Sequence, residues 1–180
     1  MFSVTNITLT ANVNCFLQLD TLAEKLCDIT LKYRPFSRIE KRYSDAFLMV
    51  YCSGKLICLT KSLNSGHQSI QSFVKELKNL NYNINLNSIA IQNIAAVCKL
   101  MSKVNLKETN RTLGRQSRYN KEIFPNLRYT SQINPKRKVV LSRSGKYILT
   151  GGKSLEELTQ LNQEFINHFN YISVPQVNIE

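Results

Sequence analysis

Of all the stretches in this chain, Gly151-Gly152-Lys153-Ser154 comes nearest to a known chemical motif. It ends as a phosphate-binding loop ends, but Tyr147 stands where that motif needs its first glycine, so nucleotide chemistry is not supported. His67 and His168 have no carboxylate or nucleophile grouped with them in sequence and read as surface or capping histidines. The five cysteines (Cys15, Cys27, Cys52, Cys58, Cys98) lie in apolar contexts without paired metal-ligand spacing. They read as small buried hydrophobes. No catalytic constellation, metal site or cofactor site is therefore expected. What remains is the chemistry of lysines in two recurring turns, Ser53-Gly54-Lys55 and Ser144-Gly145-Lys146, each followed by alternating residues and then Lys-Ser.

A Gly-containing turn between strand-like runs signals a hairpin. Here it recurs at an offset of 91 residues. Other landmarks recur at an offset of 87: Asn6 with Asn93, Val13 with Leu100, Leu17 with Val104, and Leu19 with Leu106. Tyr33 with Phe36 is echoed by Tyr119 with Phe124. Ordered landmarks in both halves mark an internal duplication, with repeats over residues 1–88 and 89–180 in one continuous domain.

A hydrophobic fraction of 43% suffices for a folded core, and the formal net charge is +12. Residues 1–90 hold 10 Lys/Arg against 6 Asp/Glu, whereas residues 91–180 hold 14 against 6. A basic excess concentrated in the second half suggests a polyanionic partner, most often nucleic acid. No apolar run approaches the roughly 20 residues of a membrane span, and the start lacks a signal-peptide pattern. A soluble, intracellular protein without a membrane partner is expected.

Taken in order, residues 6–14 favour a strand and Leu19 to Leu26 a short amphipathic helix, which Lys32-Tyr33-Arg34-Pro35 interrupts. Phe36–Arg42 and Phe47–Tyr51 read as strands before the first hairpin. A helix over about 65–80 follows, with Ile70, Phe73, Val74 and Leu77 on its apolar stripe. The second repeat restarts with a strand over 89–100, then a polar, basic segment with a short helix to about Arg118. Strands over 123–132 and 139–142 lead to the second hairpin. Ser154 with Glu157 forms a capping box for a helix over 154–169, and the tail from Asn170 shows no clear period. This order predicts an α+β fold with an antiparallel sheet.

Alternation along the hairpins puts Leu48, Val50, Leu56, Cys58, Leu141, Tyr147 and Leu149 on one face. The other carries Met49, Tyr51, Ile57 and Leu59 in the first repeat, with Val140, Ser142, Ile148 and Thr150 in the second. It too is largely apolar, yet the helices can cover only one side. An apolar face with a basic rim suits a nucleic-acid groove.

These residues resemble the TATA-box-binding protein family over about residues 5–169. The resemblance rests on Asn6-Ile7, Gln92-Asn93-Ile94, both Ser-Gly-Lys hairpins, Glu122-Ile123-Phe124-Pro125-Asn126-Leu127-Arg128-Tyr129, and Leu149-Thr150-Gly151-Gly152-Lys153. It implies a pseudo-two-fold saddle of two repeats, with a curved antiparallel sheet and helices on the convex face. Such a saddle lies on a widened, bent minor groove. By position, Asn6 and Asn93 resemble the central asparagines that donate to the acceptors of A·T pairs. Thr8, Ala95, Ile57, Leu59, Met49, Val140, Ile148 and Thr150 fall on groove positions. Phe36, Tyr51, Phe124 and Ser142 fall on the four wedge positions. Lys55, Lys61, Lys146 and Lys153 match basic positions near phosphates. Glu122 and Ile123 resemble the patch for a factor IIB-like partner.

The sequence departs from the family where Tyr51 and Ser142 replace wedge phenylalanines, where Thr8 and Ala95 replace valines, and where Asn120 replaces an acid. This erosion suggests a fast-diverging version from a virus or a protist. The implied function is a transcription initiation factor that binds and bends A·T-rich promoter DNA. Its implied partners are double-stranded DNA, factors resembling IIA and IIB, and the RNA polymerase machinery, in the nucleus or in a viral factory. Two alternatives stand beside it: a protein-interaction module with weak or lost sequence-specific DNA binding, and a sheet that stacks RNA bases on Tyr51 and Phe124.

Overall fold

The computed structural model describes residues 2–173, with side chains to residue 169. The chain divides into two compact units, the first being Asn6–Asn93 and the second Ile94 onward with the residues up to Thr5. The first unit is built on β1 (Ser3–Asn12), α1 (Leu19–Lys25), β2 (Ile29–Lys32), β3 (Arg38–Arg42), β4 (Ala46–Tyr51), β5 (Lys55–Thr60) and α2 (Leu63–Asn79). Its strands lie in the order β2-β3-β4-β5-β1, all antiparallel. The second unit repeats the plan with β6 (Ala90–Lys99), α3 (Leu106–Leu113), β7 (Ser117–Asn120), β8 (Phe124–Thr130), β9 (Lys138–Leu141), β10 (Lys146–Gly152) and α4 (Leu155–Ser173). Its order is β6-β10-β9-β8-β7, again antiparallel. The architecture is α+β, as the element order predicts.

The duplication is visible in single hydrogen bonds. Val13 donates its backbone N–H to the Gly54 carbonyl at 3.0 Å, and Leu100 donates to Gly145 at 2.9 Å. Leu17 donates to Cys52 at 2.8 Å, and Val104 to Arg143 at 3.0 Å. Gly54 and Gly145 sit at φ +81° and +82°, left-handed geometry that glycine adopts without steric penalty. A Cβ at Gly54 would lie 2.6 Å from the Cys15 carbonyl oxygen, and one at Gly145 would collide with the Ser102 carbonyl. Both turns thus bring the end of the unit's first strand against the hairpin.

Burial alternates as expected. Leu48, Val50, Leu56 and Cys58 are buried with Ile7 and Leu9, under Ile70, Phe73 and Leu77 of α2. Gly66 lets that helix approach β1 and β5, because a Cβ there would overlap the Leu9 and Thr60 side chains. In the second unit Leu141, Tyr147 and Leu149 are buried with Leu158, Leu161 and Phe165 of α4. The Phe165 ring lies 5.4 Å from Tyr129 and 5.2 Å from Tyr147. Each unit's long helix therefore covers one face of its sheet and leaves the other open.

Several elements differ from the sequence reading. The helix expected over 65–80 begins at Leu63. Phe36 lies outside β3, which starts at Arg38. The sequence reading assigns no strand to β2, which ends where the Lys32–Pro35 interruption begins, or to β7, which overlaps the end of the polar segment near Arg118. Each is only four residues long, although its burial alternates. The helix expected to end near 169 continues to Ser173, and residues 174–180 of the aperiodic tail lie outside the described residues. The capping box forms, with a shift. Ser154 Oγ accepts the Glu157 N–H at 3.2 Å, while Glu157 Oε2 accepts the Lys153 N–H at 2.7 Å.

Candidate nucleic-acid interface

In the first unit the register sets a row of side chains across the open face. Thr10 is opposite Ile57, Ile57 opposite Met49, and Met49 opposite Glu40. The next row places Thr8 opposite Leu59 and Leu59 opposite Phe47. Asn6, Thr8, Met49, Tyr51, Ile57 and Leu59 are all partly exposed, alternating with buried neighbours. The Asn6 amide donates to the Thr8 hydroxyl at 3.4 Å, a long bond that is readily exchanged. Phe36 is 71% exposed, and it shares a hollow of about 540 Å³ with Tyr51, Ile57 and Lys55. Phe36 and Tyr51, separated in sequence, are thus brought to one place.

The second unit repeats the row. Val97 is opposite Ile148, Ile148 opposite Val140, Val140 opposite Arg128, and Arg128 opposite Arg118. Ala95, Val140, Thr150 and Ser142 are partly exposed and Ile148 is exposed, as is in part Asn93 of β6, the last residue of the first unit. The Phe124 ring lies beneath the Arg128 guanidinium, 4.1 Å from ring centre to carbon, a cation–π pair. Ser142 Oγ donates to the Lys146 carbonyl at 2.8 Å and accepts from Ser144 Oγ at 2.7 Å. Its hydroxyl is satisfied within its own turn. Gly151 and Gly152 answer to local geometry, not to phosphate: β10 shifts register between Leu149 and Gly152, and Gly151 has φ +91°.

Lys55, Lys61, Lys146 and Lys153 are exposed at the ends of the two hairpin strands. Glu122 is exposed, and Ile123 is 80% exposed. Asn120 shapes that turn, its side-chain oxygen accepting the Glu122 N–H at 3.0 Å and its carbonyl the Ile123 N–H at 3.2 Å.

One basic residue has another task. Arg137, in a basic turn that could supply phosphate contacts, is buried and donates to Glu157 at 2.8 Å and Gln160 at 3.3 Å. The Lys153 N–H, and secondarily Arg137, hold the Glu157 carboxyl below the usual range. Arg137 thus ties its turn to α4, whereas Lys136, Lys138 and Arg143 stay exposed. His168, expected as a surface or capping residue, is half-buried, with Nδ1 2.6 Å from the buried Tyr129 hydroxyl. Sequence reasoning missed Phe47, Thr10, Val97, Arg118 and Arg128 on the open faces. Strand alternation marks Phe47 and Val97, whereas Arg118 required knowledge of β7.

Among the described residues no group of three His, Cys, Asp or Glu could hold a metal ion, and no helix is long and apolar enough to cross a membrane. The duplicated α+β plan has one helix-covered and one open face in each unit. A family model for "Transcription factor TFIID (or TATA-binding protein, TBP)" matches residues 1–80 and 88–171, and the chain belongs to that family. It is a family of transcription factors. The TATA-box-binding protein of Schizosaccharomyces pombe is 28% identical over 158 residues, covering 86% of this chain and 68% of that protein. TATA-box-binding protein 3 of Methanosarcina acetivorans is 34% identical over 130 residues, covering 68% of this chain and 70% of the relative. The solved structure of the Methanococcus jannaschii protein superposes with a TM-score of 0.80 at 26% identity, covering 94% of this chain and 98% of that one.

Proposed function

We propose that this chain is a transcription initiation factor that binds A·T-rich duplex DNA through the minor groove, bends it, and recruits the transcription machinery. The repeats, 1–88 and 89–180, each contribute one open face. The observation that carries this reading is the repeated chemistry of those faces. In both units a partly exposed apolar middle, with Ile57 and Ile148 at matching places, meets lysines at the hairpin margins. An apolar floor accepts sugar and base edges while the rim takes phosphates.

Asn6 and Asn93 would donate to adenine N3 and thymine O2, acceptors that both orientations of an A·T pair present. Phe36, Tyr51 and Phe124 would act as wedges at unstacked steps. Members of this family kink the duplex by roughly 80°, a value that belongs to the family. Glu122 and Ile123 form the surface for a factor IIB-like partner, and a factor IIA-like partner would bind elsewhere. The nucleus is the site of action this reading implies.

The test is a salt titration of binding to A·T-rich and G·C-rich duplexes, with dyes at both DNA ends to report bending. Tighter, bent complexes on the A·T-rich duplex are expected. Asn6→Ala or Asn93→Ala should weaken the A·T complex by about 1–3 kcal/mol, whereas Lys55→Ala or Lys146→Ala should weaken all sequences alike and reduce the salt slope by about 1. Equal affinities without a bend would favour a protein-interaction module instead.

A further inference from the structure

Each unit carries the same hollow, between the start of its short helix and the tip of its hairpin. In the first unit it measures about 360 Å³ and is lined by residues that include Phe16, Asp20, Tyr33 and Cys52. In the second it measures about 790 Å³, and its lining includes Lys103, Lys107, Lys121 and Arg143. The correspondence is positional. Phe16 and Lys103, like Asp20 and Lys107, are 87 residues apart, and Cys52 and Arg143 are 91 apart. The bonds Leu17 N–H to Cys52 and Val104 N–H to Arg143 close the two hollows in the same way.

The chemistry is opposite. No Lys or Arg lines the first hollow, where Asp20 accepts the Tyr33 hydroxyl at 3.0 Å. No Asp or Glu lines the second, although Glu108 and Glu122 follow lining lysines in sequence. The ion pairs found among the described residues are Arg38–Glu40, Lys41–Glu76 and Arg137–Glu157, and none involves a cation of the cleft. Cations that converge without a counter-charge raise the local potential, and an anion relieves their repulsion.

We propose that this cleft clamps the phosphate backbone of duplex DNA flanking the bound site, on the second unit's side only. Two observations choose DNA as the occupant. The charge is complementary to a polyanion, and the cleft is continuous with the candidate interface, because Ser142 belongs to the open face and also lines the cleft. The inference rests on the minor-groove reading and extends it to orientation. A protein of two similar repeats on a near-symmetric A·T site lacks a strong reason to prefer one direction. A clamp at one end supplies that reason wherever flanking duplex is available.

The experiment measures affinity of the full chain for three duplexes that share one palindromic A·T core: without flanks, with one flank of random sequence, and with two. If a flank contributes about tenfold through the cleft alone, the first flank raises affinity about fivefold, since one of two orientations benefits, and the second adds only about twofold. Replacing Lys103, Lys107, Lys121 and Arg143 together by Ser should abolish both gains and lower the salt slope by about three to four. The Lys→Arg variant of the three lysines should retain them. A second flank worth as much as the first would overturn the one-sided clamp, as would a Ser variant that keeps its gains. Loss of binding to an acidic peptide in the Ser variant, with flank gains intact, would assign the cleft to a protein partner and also overturn it. Binding to the unflanked core separates the two readings: its absence rejects minor-groove binding, whereas its presence without flank gains rejects only the clamp.

Discussion

At the hairpin tip of the first unit stand Phe16, Asp20 and Cys52; at the same tip of the second stand Lys103, Lys107 and Arg143. The open faces diverge in the same direction. Glu40 faces Met49 in the first unit and is paired with Arg38, whereas the matching row of the second ends in Arg128 opposite Arg118, like charges across one ladder. Yet both tips keep a glycine at a φ near +80° and the same two cross-bonds to the hairpin. The lesson is that backbone geometry and surface chemistry are held by different residues. A left-handed turn pressed against a carbonyl tolerates little besides glycine, whereas an exposed lining position accepts phenylalanine, aspartate or lysine at little cost to folding.

The shared scaffold can be broken first, with the largest effect. Gly54→Ala and Gly145→Ala should each destabilise by roughly 2–4 kcal/mol, since each adds positive-φ strain to a clash with backbone. Denaturant unfolding should show similar losses in both, and one mild loss would end the claim of equivalent tips. The helix attachments should differ next. Glu164 accepts from the buried Tyr129 hydroxyl at 2.9 Å, Ser131 at 2.6 Å and the Gln132 N–H at 2.7 Å. Glu164→Ala should therefore cost about 1–3 kcal/mol. In the first unit the tie between α2 and β3 is the Lys41–Glu76 pair at 2.7 Å, its lysine side chain 12% exposed, so Glu76→Ala, which frees one group and not three, should cost about 1 kcal/mol.

The wedge positions sharpen the comparison on DNA. Tyr51 shares its hollow with Phe36, whereas Ser142 makes only local bonds and leaves Phe124 beneath Arg128. Ser142→Phe should tighten binding and slow dissociation by about 1 kcal/mol, and Tyr51→Ser should weaken affinity and bend by a similar amount. Stopped-flow dissociation and end-labelled DNA report both, and an unchanged lifetime in Ser142→Phe would show that the second-unit kink needs no second wedge. The smallest effect tests charge alone. Phe16→Lys with Asp20→Lys should give the first unit a partial clamp, so that a second DNA flank gains about two- to fivefold more than it does with the unaltered chain.

The local and periodic parts of the protein could be read from its residues. Recurring landmarks gave the duplication, alternation gave the two faces of each hairpin, and Ser154 with Glu157 marked the start of α4. Each of these signals lies within a few residues of its structural consequence. The edge strands Ile29–Lys32 and Ser117–Asn120 were not legible, because each is only four residues long, too short for its alternation to stand out from the neighbouring turns. The fate of the charges was not legible either. In sequence Arg137 looks like Lys136 and Lys138, but folding buries it against Glu157 of α4 and leaves its neighbours in water. Lys103, Lys107, Lys121 and Arg143 come from three separate segments and belong to no motif. They become one site only because the hairpin tip, the turn between β7 and β8 and the start of α3 meet in space. Net charge is additive along a chain, but potential depends on distance, and those distances were set by tertiary packing.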